Sequence, residues 1–104
     1  PGTTSNWSNR FQIFRTQNMW TFILLDSYNG RLWQVQYSTQ DLDNLFCIPI
    51  NKYELVSDNE KCIFSIQPLT SMYQYYLIND NTGDMWKFQW STKGDDYRWI
   101  EKFK

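Results

Sequence analysis

The chain contains two copies of one sequence unit, and this repeat limits the folds open to it more than any other feature. Residues 11–50 align without a gap on residues 64–103, at a constant offset of 53, so that Gly30 meets Gly83 and Trp33 meets Trp86. Ten of the 40 aligned pairs are identical, and many others keep their apolar character. Such a match predicts two copies of one supersecondary unit.

Each copy has the alternation of apolar and other side chains that is typical of short β-strands. In the third strand of the first copy, Trp33, Val35 and Tyr37 fall on one face, and their equivalents are all aromatic. The second strand is apolar on both faces, which indicates a central position in its sheet. Glycine at 30 and 83 predicts a hairpin turn with a left-handed residue. The predicted strands are 10–15, 20–25, 31–37 and 44–48, then 63–67, 73–78, 84–90 and 97–103.

The repeat also sets the expected domain organisation. One copy is too small to bury its apolar face alone, so both copies belong to a single domain, 10–104. The copies are 10–50 and 63–104, joined by a linker, 51–62, and residues 1–9 form a flexible tail. The chain has no Ala, the best helix former, which also favours strands. We therefore predict an all-β fold in which two antiparallel β-meanders pack with pseudo-twofold symmetry as a small sandwich or barrel.

Composition excludes several classes of function. The chain has no His, which removes His-based acid–base catalysis and His-ligated zinc. Its net charge of −1 gives no positive electrostatic field that would attract nucleic acid. No apolar run is long enough to span a membrane. No catalytic motif is visible, so we predict a protein that is not an enzyme and has no cofactor and no metal site.

The hairpin at the centre of each copy resembles a wider pattern. Residues 24–35 and 77–88 follow the order hydrophobic strand, Asp or Asn, a turn ending in Gly, then x-x-Trp-x-hydrophobic. This pattern resembles bacterial β-hairpin repeats and propeller-like blades, although two blades cannot close a propeller. With two copies over residues 10–104, the chain is similar to small exported proteins of Bacteroides-type bacteria, for which no activity is known. The resemblance implies an exported protein, periplasmic, cell-surface or extracellular. No signal peptide is present, and a start at Pro1 fits either a mature terminus or a trimmed segment.

The two cysteines, Cys47 and Cys62, allow two interpretations. In an exported protein, a disulfide between them would close a loop and add about 3 kcal/mol of stability in the chain-entropy model. Alternatively, they are two free, buried thiols that act as small apolar side chains. Their spacing does not distinguish these states.

The aromatic residues separate into a predicted core and a predicted surface set. Fifteen of the 20 have an apolar partner at the equivalent position of the other copy, which favours a role in the core. Five lack such a partner and are the candidate binding residues. These are Trp7, Phe14, Tyr28, Tyr53 and Tyr97. The leading hypothesis is a non-catalytic binding module, monomer or homodimer, that recognises a carbohydrate or a protein partner.

Two other functions remain open. A structural protein would self-associate by pairing exposed strand edges. A hydrolase would need a pair of carboxylates, for which Asp43 and Asp96 are the candidates. These two residues are equivalent in the repeat, which favours a role in turns. Residues 79–84 resemble a calcium loop, but they lack its distant Glu and predict a hairpin turn instead.

Overall fold

The protein folds into two antiparallel sheets of four strands each, with the strands of each sheet in sequence order. The computed structural model describes residues 9–37, 45–57 and 61–104. The first sheet contains β1 (Phe11–Arg15), β2 (Thr21–Asp26), β3 (Arg31–Gln36) and β4 (Phe46–Pro49). The second sheet contains β5 (Phe64–Pro68), β6 (Gln74–Asn79), β7 (Met85–Gln89) and β8 (Trp99–Lys102). The all-β prediction is confirmed, and two packed sheets fit a sandwich.

The sequence repeat is also a repeat of strand register. Phe11 lies opposite Asp26 in the first sheet, and the equivalent residues Phe64 and Asn79 lie opposite each other in the second. The same offset holds for the pairing of the second and third strands and of the third and fourth strands. The predicted central position of the second strand is confirmed for β2 and β6. The predicted start of the last strand at residue 97 is wrong, because Tyr97 is the last residue of a 3₁₀ turn that precedes β8.

The hairpin turns confirm the prediction made from the two shared glycines. Gly30 has a φ of 82° and Gly83 a φ of 80°, a region that L side chains rarely adopt. Before each glycine, a side chain accepts a backbone N–H two residues further on, at 3.1 Å for Asp26 and 2.9 Å for Asn79. These are Asx turns, and they explain the polar residues of the 79–84 segment without a metal ion.

Each sheet has two faces, which are named here by their residues. The tryptophan face carries Trp33 in the first sheet and Trp86 in the second. The reverse face carries the alternate residues, among them Leu32 in the first sheet and Met85 in the second. Cross-strand pairing places Phe22, Leu24 and Val35 on the tryptophan face of the first sheet.

The two sheets bury opposite faces. In the first sheet the reverse face is buried, and Ile23, Leu25 and Leu32 have no exposed surface. In the second sheet the tryptophan face is buried, with Trp86 at 7% exposure and Phe88 at 0%. All of these side chains belong to one core. The sheets therefore stack head to tail, which here means that the reverse face of the first sheet packs on the tryptophan face of the second. A pseudo-twofold axis would bring equivalent faces together, so the burial does not confirm the predicted axis.

Polar contacts across the interface agree with this stacking. The Gln34 Oε1 atom, on the reverse face of β3, accepts a hydrogen bond from the Ser91 backbone N–H at 3.1 Å. Tyr75, on the tryptophan face of β6, donates its hydroxyl to the Arg15 carbonyl at 3.3 Å. Burial raises the pKa of that tyrosine. The Ser27 carbonyl also accepts the backbone N–H of Phe64, at the start of the second sheet.

Head-to-tail stacking corrects the prediction that all repeat-paired aromatic residues lie in the core. Phe11 is 56% exposed, whereas its equivalent Phe64 is 3% exposed. Phe103 is 47% exposed, whereas its equivalent Ile50 is 6% exposed. In these pairs only one residue faces the other sheet. Phe46, at the start of β4, and Tyr73, in the turn before β6, are exposed as well, so the buried faces do not extend to every strand end.

Candidate binding site

Two exposed tyrosine rings border a cleft of about 190 Å³ at one end of the second sheet. Tyr73 is 42% exposed and Tyr97 is 51% exposed. The fully buried Trp90 contributes to the lining next to Tyr73, with ring centroids 4.7 Å apart. The lining residues are Ser71, Tyr73, Gln89, Trp90, Ser91, Thr92, Lys93 and Tyr97.

The cleft wall is fixed by the turn that precedes β6. The Trp90 N–H donates to the Tyr73 carbonyl at 3.1 Å, which continues the ladder between β6 and β7. The Trp90 indole N–H donates to the Met72 carbonyl, also at 3.1 Å. These two bonds hold the tryptophan against the turn, where its ring packs on the ring of Tyr73.

The opposite wall is held by Gln89 at the end of β7. Its side-chain N–H donates to the Tyr97 carbonyl at 2.9 Å, and its side-chain oxygen accepts from Gln74 at 2.9 Å. The 3₁₀ turn of Tyr97 follows Gly94, which has a φ of 134°. A backbone tie and a short turn therefore fix the second tyrosine.

The lining also contains hydrogen-bonding groups. The Ser91 hydroxyl accepts the Lys93 backbone N–H at 2.9 Å, which orients the loop after β7. The Lys93 ammonium lies 5.7 Å from the centroid of the Tyr97 ring, within the range of a cation–π contact. The cleft thus combines aromatic faces, hydroxyls, an amide and one cation.

Of the five predicted binding residues, Tyr97 lines this cleft. Tyr53 is 72% exposed and lines a different cavity, of about 400 Å³, beside Trp86 and Trp99. Tyr28 lies in the turn between β2 and β3, under the Arg10 guanidinium at 4.7 Å. Tyr53 and Tyr97 therefore line different cavities.

Phe14 does not extend the site. Phe14 is half-buried and packs against the core, which is a structural role. Trp7 lies outside the described residues. Arg10 forms a bidentate ion pair with Asp26, with both N–O distances at 3.0 Å, and this pair anchors the turn that carries Tyr28.

Two residues of the cleft, Tyr73 and Trp90, were not predicted as binding residues. Each has an aromatic partner in the repeat, Trp20 and Tyr37, and repeat equivalence therefore assigned both to the core. Tyr97 was predicted because its equivalent position, Asn44, has no apolar residue. One signal for Tyr73 was its position as the first residue of the predicted strand, next to the preceding turn.

The other candidate residues are exposed wherever the structure describes them. Asp96 is exposed in the 3₁₀ turn, and Asp43 lies outside the described residues. Cys47 and Cys62 are both free and exposed, so the alternative of buried thiols is wrong and no bridge joins them in this structure. Partial burial raises the pKa of the Cys47 thiol.

No helix in the described ranges is long and apolar enough to cross a membrane. Comparison of the chain with protein-family models, with curated proteins and with solved structures finds no match.

Proposed function

We propose that this protein is a non-catalytic, exported module that binds glycans in the cleft between Tyr73 and Tyr97. The observation that carries the proposal is a single cleft lined by two exposed tyrosines together with several hydrogen-bonding side chains. Export, periplasmic, cell-surface or extracellular, follows from the resemblance described above and is part of the proposal.

A sugar-binding site needs both aromatic rings and hydrogen-bonding groups. The apolar C–H face of a pyranose packs on an aromatic ring, while its hydroxyls need hydrogen-bond donors and acceptors. Tyr73 and Tyr97 supply the rings, and Gln89 and Thr92 supply polar groups at the cleft. Hydrogen bonds to the Tyr73 and Tyr97 carbonyls hold the backbone at both residues, which reduces the entropy lost on binding.

The chemistry of the cleft also fits a role without catalysis. Within the described part of the chain, Lys93 is the one charged residue of the lining. The acidic side chains Asp95 and Asp96 lie in the neighbouring turn, and Asp95 is paired with Arg98 at 2.6 Å. This ion pair braces the turn that presents Tyr97.

The test is titration with a panel of soluble plant, fungal and bacterial cell-wall oligosaccharides. Binding is followed by tryptophan fluorescence, since the buried Trp90 ring packs on Tyr73 at the cleft, and by chemical-shift mapping. With any oligosaccharide that binds, Tyr97→Ala and Tyr73→Ala are each expected to weaken affinity about tenfold or more, because each removes a stacking ring.

Tyr53→Ala is the matched control, because it removes an exposed tyrosine outside the cleft. Its affinity is expected to equal that of the unaltered chain. The absence of binding to every oligosaccharide of the panel would contradict the proposal. Binding that Tyr53→Ala abolishes and Tyr97→Ala leaves intact would contradict it as well.

A further inference from the structure

We infer that copies of this chain stack head to tail, the reverse face of the second sheet of one copy covering the tryptophan face of the first sheet of the next. The occupant of the free face is a second copy of the chain. The inference goes beyond glycan binding and is tested at other residues.

The interface inside the chain is the template. There, the reverse face of the first sheet, with Leu25 and Leu32, covers the tryptophan face of the second sheet, with Trp86 and Phe88, in a single core. Both sheets have the same strand order, and their registers match at the repeat offset. A tryptophan face and a reverse face of this protein therefore fit together.

One free surface is the tryptophan face of the first sheet. Phe11 is 56% exposed and Ile13 is 62% exposed. Cross-strand pairing sets Ile13 beside Leu24, and Leu24 beside Trp33, so the apolar side chains form a continuous row across three strands. Such a row on a small domain is typical of an interaction surface.

The other free surface is the reverse face of the second sheet. Phe103 is 47% exposed, whereas its equivalent Ile50, in the internal interface, is 6% exposed. The Phe103 ring contacts Tyr76 edge to face, with centroids 5.7 Å apart. Lys87 and Glu101 are cross-strand neighbours on this face, so their charges offset each other.

The repeat is the reason to expect another copy of the chain as the partner. The two free surfaces are the repeat equivalents of the two that already meet inside the chain. Each added copy covers one tryptophan face and presents the next. Such heterologous contacts build a ring when the rotation closes and a filament when it does not.

The test compares the chain with two surface variants by sedimentation velocity and light scattering. Ile13→Glu blocks the tryptophan face, and Phe103→Glu blocks the reverse face. We expect the mass of the unaltered chain to rise above 12.7 kDa with concentration. A range from about 10 μM to about 1 mM covers weak and moderate interfaces. Each variant alone is expected to stay monomeric.

Mixing the variants separates this arrangement from any symmetric one. Each variant keeps one intact face, so an equimolar mixture is expected to give a dimer with one chain of each variant and nothing larger. Pairing of like faces or of strand edges would instead let at least one variant associate with itself. Tyr53→Glu, an exposed position outside both sheets, is the control and is expected to assemble as the unaltered chain does.

Three results would overturn the inference. They are an unaltered chain that is monomeric over the whole range, a Phe103→Glu variant that still self-associates, and a mixture that forms no dimer. A chain that stays monomeric would mean that a different molecule covers these faces. Circular dichroism checks that both variants fold, and Phe11→Glu replaces Ile13→Glu if that variant does not.

Discussion

At the residue scale, equivalent positions of the two copies have the same backbone and different neighbours. Gly30 and Gly83 have nearly the same positive φ. A Cβ at Gly30 would approach the side chains of Leu55 and Phe64 at 3.0 Å, whereas a Cβ at Gly83 would meet nothing within 4 Å. The requirement for glycine is therefore conformational at both turns and also steric at the first.

This difference gives a prediction with a built-in control. Both Gly30→Ala and Gly83→Ala place an L side chain at positive φ, which costs about 1–2 kcal/mol. Gly30→Ala also overpacks the first turn, which adds about 1–3 kcal/mol. Urea denaturation should show the larger loss of stability for Gly30→Ala, and equal losses would contradict the proposed packing of Phe64 on the first turn.

At the element scale, the third strands β3 and β7 share a register and differ in what they cover. Gln34 of β3 is fully buried and accepts hydrogen bonds from Ser91 and Arg98. Its equivalent in β7 is Lys87, which is only half-buried on the free reverse face. A charged side chain fits the free face and not the buried one.

Exchanging these residues tests the assignment of the faces. Gln34→Lys buries a charge and leaves the Ser91 N–H without its acceptor, so we expect a loss of about 3 kcal/mol or more. Lys87→Gln should change the stability of the monomer by less than about 0.5 kcal/mol. Thermal unfolding of both variants at low concentration measures the contrast. Similar losses in the two would mean that β3 and β7 have the same environment.

The same strands show how far the sequence could predict the structure. Strand positions and hairpin turns follow from local alternation and from the two glycines, and they were predicted within a few residues. The choice of buried face was not predictable from the repeat, because both copies carry apolar residues on both faces of the central strand. In the cleft, Tyr97 was predicted because it breaks the repeat, while Tyr73 was missed because its position keeps it. The resemblance to exported bacterial repeat proteins stays a prediction.

At the scale of the whole molecule, the two sheets depend on one core. The buried apolar residues of both sheets form a single cluster, and the segment between them joins it through Leu55 and Val56. Its backbone also bonds to the first sheet, where the Leu55 N–H donates to the Asn29 carbonyl at 2.8 Å. Neither four-stranded sheet can bury an apolar face without the other. Each copy of the repeat therefore forms one sheet, but it is not stable without the other copy.

This dependence predicts one cooperative unfolding transition for the chain. Far-UV circular dichroism reports on strands of both sheets, while near-UV circular dichroism and tryptophan fluorescence report on side-chain packing in the core and on the free face. Measured on Ile13→Glu, which excludes stacking between copies, the three urea curves should share one midpoint and fit a two-state transition. Residues 9–57 expressed alone should give no cooperative transition, since their reverse face would lose Phe64 and Trp86 as partners. Separate midpoints for the full chain, or a cooperative transition for the first copy alone, would show that each sheet is stable independently.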